Sequence, residues 1–141
     1  MNSLRLPRYV LDTNIISAVV HGLPSAADRF SQEMNNGALF LLCPLVWYEM
    51  RRGLLRQRTE RTLHLFDRLT VAFVWEDLVP EDWQLAASTW PRMVAIGQEP
   101  DDADLLIAVF AARRNAMVVT HNQKHFQPLT AFLNIQVEDW I

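Results

Sequence analysis

The chain contains one cysteine, Cys43, so an internal disulfide is excluded. No apolar run approaches the ~20 residues a membrane-spanning helix needs. The opening stretch, with Arg5 and Pro7 ahead of the first apolar run, has no signal-peptide core. These absences predict a reducing, cytosolic setting and no membrane span. Positive charge is also scarce. Lysine occurs once, as Lys124, and 13 Lys and Arg against 16 Asp and Glu leave a formal net charge of -3, which argues against a surface coated in basic residues but leaves room for a local patch. Internal repeats, low-complexity tracts and linkers are lacking too. What is present, 141 residues of which 50% are apolar and 21% charged, fits one globular domain with a sizeable core. The expected organisation is a single domain over 1–141, its residues 1–7 forming a short N-terminal leader.

Apolar runs bounded by turn signals alternate with amphipathic stretches. Strands are expected at 8–12, 38–43, 71–75, 116–120 and 135–137, and helices at 14–20, 24–35, 45–56, 59–69, 80–97 and 100–115. Pro44 stands where a first-turn proline is tolerated. The 100–115 stretch opens on acids and closes on Arg113-Arg114-Asn115, matching the helix dipole. Strands separated by helices imply an α/β fold whose mostly parallel sheet is covered on both faces.

Three acids sit on apolar segments. Asp12 ends the first strand, where open α/β sheets place ligands; it could equally cap the next helix, with help from Thr13 and Asn14. Glu49 shares a helical face with Leu45, Val46 and Gly53, a costly place for a carboxylate unless it is paired or metal-bound; a pair with Arg52 or Arg56 is the structural alternative. Asp104 borders the stripe formed by Ile107, Ala108 and Ala111, whereas Asp101 and Asp102 suit a helix N-terminus. Asn122 follows the late strand as Asn14 follows the first, placed to hold water at a metal or to cap a turn. His121 and His125 are too few for a zinc signature and suit surface hydrogen bonding or packing beside Phe126. Arg51, Arg52, Arg56, Arg58 and Arg61 could grip phosphate or form a solvated face. Trp47, Trp75, Trp83, Trp90 and Trp140 could stack bases or anchor partners, although packing explains most of them.

The chain resembles PIN-domain ribonucleases, particularly the VapC-like toxins of bacterial toxin–antitoxin pairs, over essentially its whole length. Four ordered pieces carry the resemblance: Val10-Leu11-Asp12-Thr13-Asn14-Ile15-Ile16-Ser17, Glu49-Met50-Arg51-Arg52-Gly53, Asp104-Leu105-Leu106-Ile107-Ala108, and Val118-Val119-Thr120-His121-Asn122 with His125-Phe126. It implies a three-layer α/β/α domain with strand order 3-2-1-4-5, and it makes Asp12, Glu49 and Asp104 the recurrent acids. Converging carboxylates repel, and an oxygen-rich set suits Mg2+ or Mn2+ better than Zn2+. The expected chemistry is phosphodiester hydrolysis assisted by one or two such ions. Asp12 and Asp104 are then the principal ligands, Glu49 is a ligand or orients water, and Asn122 positions water or phosphate. Thr13, Asn14, Arg51 and Arg52 are the expected substrate contacts. Many PIN domains carry another acid near Asn122; the amide departs from that pattern, and Asp101 is the residue that could compensate. The resemblance further implies an RNA substrate, a cognate antitoxin and a homodimer. The competing readings are a non-catalytic PIN-like module that binds RNA or protein, and another metal-dependent phosphoesterase.

Overall fold

The structure, a computed structural model, describes residues 6–141; the first five residues of the expected leader lie outside the described residues. Five short strands, β1 (Arg8–Leu11), β2 (Leu39–Leu42), β3 (Val74–Trp75), β4 (Met117–Val119) and β5 (Val137–Glu138), form one sheet in the order β3-β2-β1-β4-β5. Every neighbouring pair is parallel. The helices are α1 (Thr13–Val20), α2 (Pro24–Asn35), α3 (Pro44–Gln57), α4 (Glu60–Thr70), α5 (Pro80–Ala95), α6 (Asp102–Arg113) and α7 (Gln123–Phe126), the last running into a tight 3-10 turn over Gln127–Ala131. Among the described residues no helix is long and apolar enough to cross a membrane.

The α/β class and the strand order follow expectation, while several boundaries move for local reasons. Pro44, Pro24 and Pro80 each sit in a first turn, where the missing N–H leaves no bond unmade. Helix α6 starts after Pro100 because Asp101 takes the cap position and its carboxylate accepts from the Ala103 and Asp104 N–H groups. The ladder begins inside the expected leader, since Leu39 N–H donates to the Pro7 carbonyl at 2.9 Å. The third strand shrinks to two residues and the last shifts to Val137–Glu138. Helix α7 was not foreseen, for four residues display no helical period.

The central strands β1, β2 and β4 are apolar on both faces, as parallel strands covered by helices must be. Tyr9, Phe30, Phe40, Phe73 and Trp140 form an aromatic cluster, with Phe30 and Phe40 centroids 4.8 Å apart and Tyr9 meeting Trp140 edge-on at 5.1 Å. A second anchor is polar. The fully buried Asp82 of α5 receives Arg113 at 2.7 Å and Arg114 at 2.9 Å from the end of α6. Burial opposes its charged form, yet the hydrogen bonds from Arg114, the Val79 N–H and Arg113 prevail and hold its pKa down at about 2. This pairing ties the end of α6 to α5.

Candidate active site

Asp12 leaves the carboxyl end of β1 and is 4% exposed. Burying a carboxylate there requires partners. Its Oδ1 accepts from the Thr13 N–H at 2.8 Å, and its Oδ2 accepts from Thr120 Oγ1 at 2.8 Å and from Asn14 Nδ2 at 3.5 Å. The two ambiguous readings of Asp12 therefore coexist: it is the N-cap of α1 and also the acid at the strand end. Parallel register sets Leu11 beside Val119, so the next residues, Asp12 and Thr120, meet across the seam.

Glu49 and Asp104 reach the same locality from α3 and α6. Burial raises the pKa of Glu49, and the charges of Asp12, Asp104 and Asp101 raise it further, against the opposing pull of Arg52. Asp104 is raised by burial and by Asp12 and Asp101, while His125 lowers it through a 3.1 Å hydrogen bond from Nδ1 and through its charge. These mutual effects place three carboxylates within electrostatic reach of one another. Among the described residues, neither Asp12 nor Glu49 takes part in a salt bridge. The alternative of a Glu49 pair with Arg52 or Arg56 is thus absent among them, although the Arg52 charge lowers the Glu49 pKa.

The other sequence candidates separate by environment. Asn14 is a strut: besides reaching Asp12 it accepts from the His121 N–H at 3.0 Å and lies 3.5 Å from Thr120 Oγ1. Thr13 contributes its backbone N–H to Asp12. Asn122 is exposed and opens α7 with main-chain groups, its N–H on Thr120 Oγ1 and its carbonyl accepting from the His125 N–H, both at 3.0 Å. Its side chain makes no hydrogen bond among the described residues. Arg51 pairs with Asp67 of α4 and lies over Trp47, whereas Arg52 is exposed. Asp101 caps α6. Of the tryptophans, Trp140 is buried and Trp75, Trp83 and Trp90 are exposed; Trp83 and Trp90 line an apolar cleft of about 380 Å³ with Leu105 and Leu106.

Two residues at the site were missed as contributors. Thr120 is fully buried and donates to Asp12, and the available signal was its place as a polar residue ending an apolar strand, just as Asp12 ends the first. His125 makes the surface hydrogen bond expected of it, but its partner, Asp104, lies 21 positions away, which no local pattern announces.

The donor chemistry suits a hard cation. The acids are oxygen donors, mutually repelling and short of cationic partners, and burial pushes the lone Cys43 thiol up to about 11, leaving it neutral and unavailable as a ligand or nucleophile at pH ~7. Among the described residues no three His, Cys, Asp or Glu side chains already close around one point.

A parallel sheet ordered 3-2-1-4-5, with Asp12 at the carboxyl edge where the strand order reverses, defines an α/β domain with its candidate site at a topological switch point. The chain belongs to the PIN-domain family and, within it, to the VapC ribonucleases. The PIN domain model matches residues 9–129. The chain is 30% identical over 138 residues to ribonuclease VapC1 of Haemophilus influenzae strain R2866, with 94% of this chain and 97% of that one covered. It is similar to VapBC-1 from nontypeable Haemophilus influenzae, with a TM-score of 0.78 at 27% identity over 94% of this chain and 98% of that one. It shares its fold with VapBC2 from Rickettsia felis, a structure bound to a promoter DNA fragment, with a TM-score of 0.82 at 21% identity over 95% and 99% of the two chains.

Proposed function

We propose that the chain is a metal-dependent endoribonuclease that hydrolyses RNA phosphodiester bonds as the toxin of a toxin–antitoxin pair. The observation that carries this reading is that Asp12, buried at the end of β1, bears on Glu49 of α3 and Asp104 of α6, raising both carboxyls alongside burial, with His125 as the one ion-pair partner among the three acids in the described residues. A hard divalent cation, Mg2+ or Mn2+, supplies activation of water and of the phosphodiester there. Asp12, oriented by Thr120 and Thr13, and Asp104, oriented by His125, are the residues to hold it. Glu49 faces the same charge and either adds a ligand or orients the attacking water. Asn122, exposed beside Thr120, is positioned for water or phosphate. Arg52, exposed and without an ion pair among the described residues, is a cation for a substrate phosphate, while Arg51, Thr13 and Asn14 support the site through the contacts already described.

Two protein partners belong to this reading. A cognate antitoxin is supported by the similarity to VapBC structures from three bacteria. A second copy of the chain is supported by the exposed apolar side chains Trp83 and Trp90. The cytoplasm is the setting we assign, consistent with a single buried, unpaired cysteine.

Purified protein is expected to cleave structured RNA in Mg2+ or Mn2+, and Asp12→Asn and Asp104→Asn to abolish cleavage while circular dichroism stays unchanged. Equal activity in the wild type, both variants and excess chelator would leave the catalytic reading without support. Binding of RNA with no cleavage under any cation would favour a non-catalytic module.

A further inference from the structure

Helix α3 carries Tyr48 immediately before Glu49 and Arg52 one turn later, and the Arg52 guanidinium lies over the Tyr48 ring, 5.0 Å from its centroid. We propose that this pair is a substrate subsite: a platform on which a base of single-stranded RNA stacks beside the acid site while Arg52 holds an adjoining phosphate. The inference rests on the ribonuclease reading and extends it to how the strand is held.

Three observations carry it. Tyr48 is 54% exposed and Arg52 is exposed, so the pair is not packing for the fold. Of the other four cation–π pairs among the described residues, three are tied by carboxylates, Arg29 over Trp140 to Glu33 and Glu138, Arg51 over Trp47 to Asp67, and Arg114 over Phe110 to Asp82; the fourth, Arg92 over Phe132, lies on a ring packed against the core. Among the described residues, neither Tyr48 nor Arg52 has a hydrogen bond or ion pair of its own. Lastly, Arg52 follows Glu49 by three positions on α3, so the two side chains leave neighbouring points of one helical face and the guanidinium stands beside the acid. An RNA backbone approaching three acids needs a cation beside them, and Arg51, tied to Asp67, is not free to serve. An open aromatic face with a neighbouring arginine is the chemistry that holds unpaired bases without reading their sequence.

Steady-state cleavage of a structured RNA whose target site lies in a single-stranded loop tests the platform. Tyr48→Ala is expected to raise KM roughly 5- to 100-fold, the effect of losing one base–aromatic stack, with kcat within about twofold. Tyr48→Phe and Tyr48→Trp restore KM because they restore a ring. Arg52→Gln flattens the dependence of log KM on log salt by about one unit, and Tyr48→Ala leaves that slope unchanged. An unchanged KM in Tyr48→Ala, a defect confined to kcat, or failure of Tyr48→Phe to rescue would each overturn the proposal while the ribonuclease reading stands. Unchanged RNA kinetics with lost capture of a co-expressed protein partner would assign the pair to a protein interface instead. A wild type inert towards RNA in every divalent cation would take both readings down together.

Discussion

Thr120 Oγ1 donates to Asp12 Oδ2 at 2.8 Å across the β1–β4 seam, joining two residues 108 positions apart. The bond sits where the strand order reverses, and it sets the direction of the buried carboxylate before any ligand arrives. Because Thr120 also receives the Asn122 N–H at 3.0 Å, one hydroxyl ties the first acid to the start of α7.

Removing that hydroxyl separates orientation from burial. Thr120→Val keeps the volume and leaves Asp12 with a lone pair unmatched, which costs about 1–3 kcal/mol of stability. RNA cleavage is expected to fall roughly 10- to 100-fold with it. Thr120→Ser should return most of both, as read by urea denaturation and by kcat. A Thr120→Val enzyme as active as wild type would show that Asp12 needs no such orientation.

The pKa of Glu49 is raised by burial and then by Asp12, Asp104 and Asp101. A carboxyl raised on folding disfavours the folded state once ionised, so its penalty is absent well below its ordinary pKa of 4.5 and complete above the folded value. Glu49→Gln is therefore expected to raise the melting temperature of the metal-free protein at neutral pH, and to leave it unchanged in acid, while lowering RNA cleavage. Added Mg2+ should stabilise the wild type more than this variant. Calorimetry at two pH values, with and without Mg2+, decides it.

His125 gives Asp104 its hydrogen bond at 3.1 Å. His125→Ala is expected to weaken Mn2+ binding about 10-fold, the scale of losing a group that orients a ligand. His125→Asn, which retains an N–H donor near that point, should recover part of the loss. Titration of Mn2+ followed by electron paramagnetic resonance measures this directly, and equal affinities in all three proteins would exclude the role.

Asp101 distinguishes a cap from a fourth acid. Its carboxylate accepts from Ala103 and Asp104, a function asparagine performs nearly as well. Asp101→Asn should then be active and stable, whereas Asp101→Ala should lose about 1 kcal/mol of stability. Loss of cation binding in Asp101→Asn would instead make it the compensating acid for Asn122.

Asp82 is expected to matter to folding alone. With its pKa lowered to about 2 from 3.8, its contribution is fully present above 3.8 and is lost as pH falls through about 2. That linkage is worth on the order of 2 kcal/mol. Asp82→Asn breaks a buried pair and should cost about 3 kcal/mol at neutral pH. Denaturation midpoints measured from neutral to acid pH test both the size and the sign.

Much of the frame was legible because burial and period are local properties. The apolar runs around Val10, Leu41 and Val118 marked the three buried central strands, and the prolines at 24, 44 and 80 marked helix starts. The two-residue strands β3 and β5 and the four-residue α7 were blurred or missed, being too short for a period to show. Glu49 could be suspected from the apolar stripe it interrupts. Whether it met Arg52, Arg56 or other acids could not be read, for a helical face does not reveal what lies opposite.

By itself, then, the sequence determined that carboxylates stand at the ends of apolar elements, since hydrophobic pattern dictates which segments are buried and where each one stops. Tertiary structure alone decided their partners. Thr120 meets Asp12 through strand register, His125 meets Asp104 between α7 and α6, and Asp67 engages Arg51 while Arg52 stays open. Those pairings span 16 to 108 residues, and side chains so far apart become neighbours only when packing of the whole sheet and its helices fixes their directions.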